Sequence, residues 1–262
     1  VSENLAGIRQ YYRQCAAYYH ACLTPEARAY LHTRGITDRI IDANQIGYCP
    51  AGPHPLYTDS IARDAGIATN GGSSVLASRI IFPYISPDGE VTDLRGRSLD
   101  PEAEVRYKGP YGRAAFRGAD EWPYVPQGQR PPTGATVVIT EGEIKALVCQ
   151  QIGVSAVALP GINTWRWRLR SLYQQQTRVI MFDSQADRAV AENVYAAVDT
   201  LAQRLGECNI LFLPLSGSKM DVDTYILTKG PKMFMSLLGY SLPYTNWAVL
   251  MRRHGYVPRS SS

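Results

Sequence analysis

The sequence predicts an α/β fold: a central parallel sheet flanked by helices over residues 131–232, preceded by a smaller α+β part over 1–130 and followed by a tail, 233–262. Three observations carry this. From residue 135 the chain alternates short β-branched runs with amphipathic stretches, the pattern of parallel strands joined by helices. Residues 121–134 (EWPYVPQGQRPPTG) carry Pro123, Pro126, Pro131 and Pro132, which interrupt regular structure and mark a boundary. Before that boundary the apolar pattern is first helical and then of strand type.

The elements follow in order. Leu5, Ile8, Tyr12, Cys15, Ala16 and Tyr19 recur at three- and four-residue steps, so a helix opens the chain. Its doublets Tyr11-Tyr12 and Tyr18-Tyr19 could stack on bases, but aromatic packing is the simpler reading. Thr24-Pro25-Glu26 starts a second helix, with Thr as cap and Pro in its first turn, and Gly35 ends it. Thr37 or Asp38 can open a third through Ile40-Ile41. Residues 43–75 are rich in Gly, Pro and polar turns, so little regular structure is expected. Arg79–Ile85 and Glu90–Leu99 read as two strands joined at Pro87-Asp88-Gly89, and Arg95 and Arg97, two apart, share one strand face. Beyond the boundary the pattern gives strand 136–140, helix 142–152, strand 155–159, a helix near 164–175, strand 178–182, helix 185–206 and strand 209–213. Lys232–Leu238 reads as a last helix, followed by a loose segment.

The bulk numbers exclude several classes. At 262 residues with 45% hydrophobic content, a sizeable core can form. No apolar run approaches the roughly 18 residues of a membrane span, and Glu3, Arg9 and Arg13 break any signal-peptide pattern, so no membrane partner and a cytoplasmic place are expected. The five cysteines are scattered and never spaced CxxC, which argues for reduced thiols over a disulfide or zinc framework. Residues 1–133 and 134–230 are each electrically balanced, so the net +4 resides in Lys232, Arg252, Arg253 and Arg259. Local clustering is more telling: Arg106, Lys108, Arg113 and Arg117 stand in a stretch without an acid.

The chemistry points to acids at strand ends. Glu141 follows strand 136–140, Asp183 follows strand 178–182, and Asp221-Val222-Asp223 follows strand 209–213 through a Gly/Ser turn. In an open parallel sheet the crevice lies beyond the carboxyl ends of the strands, so four carboxylates would converge there. Crowded carboxylates repel unless a cation compensates, and Mg²⁺ (or Mn²⁺) is the natural one for oxygen ligands and phosphate substrates. Glu141 is a candidate base or outer metal ligand, its alternative a strand-to-helix cap; Asp183 is a candidate metal ligand. Asp187 would rise beside Asp183 in a helix beginning at Ser184, its alternative being a favourable charge in a helix's first turn. Lys219 stands close enough to meet a phosphate or is a solvated loop lysine. On this reading, removing Asp183 relieves repulsion and leaves the fold intact or more stable.

At these residues the chain resembles the TOPRIM domain: Glu141-Gly142-Glu143, Phe182-Asp183-Ser184 and Asp221-Val222-Asp223 form its acidic series. Leu159-Pro160-Gly161 and Asp221–Ile226 are similar to primase TOPRIM segments. Upstream, Tyr30–Ile36, Ile46–Pro50, Arg79–Pro83, Asp88-Gly89, Arg95–Leu99 and Arg106-Tyr107 resemble the RNA-polymerase core of bacterial DnaG-type primases. The resemblance covers about 28–230. It implies an amino-terminal primase-core subdomain with a basic surface (1–130), a TOPRIM domain (131–232) and a tail (233–262). It further implies a DNA primase, a nucleotidyltransferase of DNA replication that makes primers from nucleoside triphosphates on single-stranded DNA.

By that resemblance Glu141, Asp183, Asp221 and Asp223 form the catalytic metal site, and Arg95, Arg97, Arg106 and Lys108 meet template or nucleotide phosphates; Asp187 is added to the metal candidates, and Arg79, Lys145 and Lys219 to the phosphate-binding candidates. The chain departs from the pattern at Gln185, where the family carries an acid, and at Lys145, where many primases place another. The zinc-ribbon and helicase-binding modules of such primases are not among these residues, so they are expected on a partner or elsewhere in a longer chain, and the compact form suggests a plasmid, phage or mobile-element primase. The same acids also admit a TOPRIM nuclease or nicking enzyme, and Gln185 admits a non-catalytic nucleic-acid-binding module with a decayed metal site.

Overall fold

The structure is a computed structural model, and it describes residues 2–58, 60–111, 122–166 and 168–256, with the side chains of 2–4 left aside. Arg113 and Arg117 of the basic stretch, and Arg259 of the tail, lie outside the described residues. The chain divides into two units, Val1–Gln129 and Arg130–Ser262.

The first unit is built on a four-stranded antiparallel sheet, in the order β1 (Gly47–Cys49), β2 (Arg79–Ile85), β3 (Val91–Ser98) and β4 (Tyr107–Lys108). Helix α1 (Ser2–Ala21) lies against one sheet face. Its Ile8, Tyr12, Cys15 and Tyr19 share a core with Cys49, Ile81 and Leu94. Tyr11 and Tyr12 are both buried, and their hydroxyls donate to the carbonyls of Leu56 and Ala65, each at 2.8 Å, so the doublet is structural. Helix α2 (Pro25–Thr33) starts as its sequence predicts: the Thr24 side chain accepts from the Ala27 amide at 3.2 Å, and Pro25 sits where no partner for its nitrogen is needed. Short helices α3 (Asp38–Ala43) and α4 (Ser60–Asp64) complete the unit. On the other sheet face Phe82 and Tyr84 make edge contacts with Tyr124 at ring separations of 6.3 and 5.2 Å.

The second unit carries strands β5 (Thr136–Glu141), β6 (Ser155–Leu159), β7 (Thr177–Ile180) and β9 (Asn209–Ile210), which pair in parallel in the order β9-β7-β5-β6. Val137, Val138 and Ile139 of β5 are wholly buried because strands flank it on both sides. Helices α5 (Glu143–Gln151), α6 (Arg168–Leu172) and α7 (Arg188–Leu205) intervene. A two-residue strand β8 (Ser184–Gln185) pairs antiparallel with β10 (Lys219–Met220), ahead of α8 (Val222–Lys229) and α9 (Pro231–Leu238).

Two expectations are corrected here. The helix foreseen over 185–206 begins at Arg188, because Ser184 and Gln185 are held in extended pairing with Met220 and Lys219. The stretch after Leu238 is folded where the sequence predicts a loose segment. Strand β11 (Leu242–Pro243) adds antiparallel to β9, and helix α10 (Tyr244–Arg253) follows. Tyr244 donates to the buried Asp199 carboxylate at 2.6 Å, while Trp247 stacks on Phe212 at 6.4 Å and packs against Tyr195.

The described cysteines form no disulfide; Cys15, Cys49, Cys149 and Cys208 are buried and Cys22 half-buried. Burial pushes the Cys15 thiol up to about 12 and that of Cys208 to about 11, which keeps both protonated and unreactive. Among the described residues no helix is long and apolar enough to cross a membrane.

Candidate active site

The carboxyl end of the parallel sheet assembles the acids. Glu141 is the last residue of β5, opposite Leu159 in the register. The next residue, Gly142, takes φ +80°, a conformation that suits glycine, and its amide donates to the Leu159 carbonyl at 2.9 Å. The chain thereby turns sharply into α5. Asp183 follows β7 in the adjacent position. Asp221 is the N-cap of α8, where its carboxylate accepts from the Thr224 amide at 3.0 Å, and Asp223 lies buried in the first turn.

Two lysines bind this set together. Asp183 is 5% exposed, with Lys145 Nζ 2.6 Å from its Oδ1 and Lys219 Nζ 2.8 Å from its Oδ2. The Lys145 side chain is itself only 11% exposed, whereas that of Lys219 is 48% exposed. Glu141 lies in the field of both ammoniums. Burial raises its carboxyl above the ordinary range, the charges of Lys145 and Lys219 act against the rise, and those of Asp183 and Glu143 add to it. Burial alone would lower Lys219, but the hydrogen bond and charge of Asp183 outweigh it and hold the ammonium above its ordinary value. At Asp221 burial raises, yet the hydrogen bonds from Thr224 and Asp223 and the charge of Lys145 bring its carboxyl down to about 2.

The structure therefore brings Glu141, Asp183 and Asp221 around Lys145 and Lys219, with Asp223 against Asp221. The compensating cations that the crowded acids demand are supplied within the chain. This reverses the expectation that removing Asp183 would be harmless to the fold, because Lys145 would be left buried and unpaired. Glu143, part of the acidic series but not assigned a site role from the sequence, is 1% exposed in the first turn of α5.

Asp187 is not brought to this set. It is exposed and caps α7, its carboxylate accepting from the Val190 amide at 2.9 Å. The premise of a helix starting at Ser184 fails, and with it the placement of Asp187 above Asp183. Asp187→Ala is expected to cost about 1 kcal/mol, the value of an N-cap, and to leave metal binding unchanged. Thermal melts and a Mn²⁺ titration of the variant check both.

Among the described residues no three acids stand close enough to form a ready-made metal cage. Magnesium, however, is commonly held by one or two carboxylates plus waters and substrate phosphates. Asp221 and Asp223, two residues apart at the start of α8, are the carboxylates of this set that could serve in that mode. Asp183 does not fit, since both of its oxygens already face ammoniums.

The basic residues of the first unit divide between the two faces of the sheet. Arg95 and Arg97 stand opposite Phe82 and Ile80 on one face, as their spacing requires. Lys108 pairs with Gly96 and Arg79 with Ser98, so both belong to the other face. Arg79 lies across Gly96, where an added Cβ would come 2.8 Å from its Cδ, and its Nη1 donates to the Arg106 carbonyl at 3.4 Å. Arg97 is 5% exposed; its guanidinium sits over the rings of Tyr30 at 5.2 Å and Tyr107 at 5.1 Å and donates to the Tyr107 hydroxyl. Lys108 lies over Tyr111 at 5.1 Å, and Arg106 is exposed. Arg97→Ala is accordingly expected to destabilise the first unit by about 2 kcal/mol, the worth of a desolvated cation–π contact. Arg106→Ala should leave the melt unchanged and flatten the salt dependence of single-strand binding by about 0.7 in log–log slope.

Comparison with known proteins gives the same reading. An antiparallel unit followed by a parallel sheet with acids at its carboxyl end defines a two-part α/β core. More narrowly, the fold is that of the DnaG-type primase catalytic core. The RNA polymerase domain of Mycobacterium tuberculosis primase DnaG superposes with a TM-score of 0.75 over 94% of this chain and 87% of that one, at 19% identity. A DnaG primase catalytic domain bound to ssDNA gives 0.73 over 93% of this chain and 81% of its own, at 20% identity. Residues 18–117 match the family "DNA primase catalytic core, N-terminal domain", and residues 132–233 match a domain of unknown function, DUF3854. The DNA primase of Neisseria meningitidis serogroup A is 27% identical over 237 residues, 85% of this chain and 40% of that protein. The DNA primase of Geobacillus stearothermophilus is 28% identical over 91% of this chain and 42% of its own length. The chain thus spans about two-fifths of the length of these relatives.

Proposed function

We propose that this chain is the catalytic core of a DNA primase, a nucleotidyltransferase that joins nucleoside triphosphates into short primers on a single-stranded DNA template. The observation that carries the reading is the assembly of Glu141, Asp183, Asp221 and Asp223 at the carboxyl end of one parallel sheet, within a fold shared with primase cores. Asp221 and Asp223 would hold one Mg²⁺ or Mn²⁺, which when bound neutralises phosphate charge. The remaining roles fall to the chain's own residues. Lys219, half exposed beside Asp183, swings to a triphosphate oxygen and supplies a charge-assisted hydrogen bond. Glu141, its carboxyl raised by burial, accepts the proton of the attacking hydroxyl. Lys145 holds Asp183 in place. In the first unit Arg106, Lys108 and Arg79 meet template phosphates, while Arg97 braces the strand from which Arg95 projects. The partners on this reading are the template, nucleotides and a helicase or zinc-ribbon module on another chain or segment, in the cytoplasm, where DNA and nucleotides meet.

A second reading, a nucleic-acid-binding module without catalysis, is favoured by the two ammoniums on Asp183 and by the uncharged Gln185. Incubation with single-stranded DNA, labelled nucleotides and Mg²⁺ or Mn²⁺ separates them. New short oligomers are expected; binding without synthesis would establish the second reading instead, and cleaved template a nuclease.

A further inference from the structure

We propose that α6 and the adjoining end of α7 form a second track for single-stranded nucleic acid, with Trp165 stacking a base and Arg130, Arg170 and Arg204 meeting phosphates. Between Glu143 and Asp183 the chain has no acid, yet Arg166, Arg168 and Arg170 follow directly on Trp165. Residues 162–165 line one cleft and residues 171–176 a second, so the basic stretch runs from one to the other. In the first cleft the Arg204 guanidinium of α7 stands 5.8 Å from the centre of the Trp165 ring, with Asn163 and Thr200 alongside. The second is walled by Arg130, Ser171 and Gln174, again without an acid. The acids of α7 bring no opposing charge: Glu192 pairs with Arg188 at 2.9 Å, and Asp199 is buried under bonds from Tyr244 and Gln203.

This chemistry fits an unpaired strand. An aromatic ring offers its face to any base while basic side chains follow the backbone. A guanidinium over a ring keeps its planar fork of N–H donors for phosphate. A duplex keeps its base faces stacked inside and could not use Trp165. The cleft at Trp165 is about 70 Å³, far below the roughly 300 Å³ of a small-molecule pocket, so it does not enclose a cofactor. Among the described residues no exposed large apolar side chain falls between 130 and 176, so a protein or membrane partner would find no apolar anchor.

The track is separate from the acids. The step from β5 to β6 crosses the sheet one way, and those from β6 to β7 and β7 to β9 the other. Right-handed crossovers therefore place α5 on one face and α6 and α7 on the opposite one. Lys145 and the pair Asp221 and Asp223 belong to α5 and the start of α8, which pack together, whereas α6 packs on α7. Arg204 is at the far end of α7 from Asp187, roughly 25 Å along the helix at 1.5 Å per residue.

The test is fluorescence anisotropy of labelled oligo-dT, oligo-U and a DNA duplex with the full chain, in chelator and without nucleotide. Arg170→Ala/Arg204→Ala is expected to flatten the log–log salt slope for single strands by about 1.4 and to weaken binding at least about tenfold at about 0.1 M salt. Trp165→Ala is expected to weaken single-strand binding at least about fivefold, the low end for one stacked base, and Trp165→Phe to retain most of it. Duplex binding should be unmoved by either Trp165 substitution. A melting curve verifies each fold, and the exposed arginine pair decides the matter even where Trp165→Ala fails to fold. A loss on oligo-dT assigns the track to template, a loss on oligo-U alone to the new primer; either supports the proposal. Wild-type affinity and slope in the arginine pair, a folded Trp165→Ala that binds as the wild type does, or an equal loss on the duplex overturns it. Because binding is read without metal or nucleotide, a chain that makes no primers refutes the proposed function and leaves this track standing.

Discussion

Asp183→Asn is expected to destabilise the second unit by about 3 kcal/mol, the lower end for breaking a buried ion pair from one side. For a unit of this size that lowers the melting temperature by roughly 10 °C. The cause is Lys145: its ammonium, 2.6 Å from Oδ1, keeps its burial and loses its partner. Lys219 contributes little to the loss, because its half-exposed side chain can turn to water. Replacing both buried partners by apolar residues, Lys145→Met with Asp183→Leu, removes the stranded charge and is expected to be near neutral in stability. Thermal melts of the two variants decide the matter. If Asp183→Asn melts at or above the wild type, repulsion among the acids dominates and the lysine pairing is not formed in solution.

Joint replacement of Asp221 and Asp223 by Asn is expected to reduce primer synthesis by at least about 100-fold, as removal of a principal electrostatic element of an active site does. The substitution isolates charge from fold, because Asn caps a helix about as well as Asp and retains the acceptor facing the Thr224 amide. The acid limb of stability gives an independent check. The Asp221 carboxyl is held at about 2, below its unfolded value of about 3.9. Its stabilising contribution is therefore present above the unfolded value and is lost as pH falls through the folded one. The melting-temperature difference between wild type and Asp221→Asn should be constant above about pH 5 and shrink toward pH 2. A difference that grows on acidification would show that Asp221 titrates normally or high.

The alternation of β5, α5, β6 and β7 was legible because each strand is a short, mostly apolar run and the helix between β5 and β6 is rich in apolar residues. Thr24, Pro25 and Gly35 marked α2 because capping chemistry is local. The tail was not legible: α10 docks through Tyr244 on Asp199 and Trp247 on Phe212, partners more than thirty residues upstream. Gln185 was misplaced into a helix because its strand pairing with Lys219 spans a gap that no local pattern records. Arg97 read as a phosphate-binding residue because its spacing from Arg95 specifies a face, while the rings of Tyr30 and Tyr107 that bury it come from other elements.

The sequence by itself determined the fold class and the acids' positions at strand ends, since both follow from periodicity and from the rule that parallel strands present their carboxyl ends to a crevice. The tertiary structure alone decided what neutralises those acids. Lys145 is four residues from Glu141 and thirty-eight from Asp183, and Lys219 is thirty-six beyond Asp183. Coulomb energy depends on separation in space and on burial, neither of which a one-dimensional pattern contains. Only the packing of α5 and β10 around the end of β7 puts both ammoniums on one carboxylate.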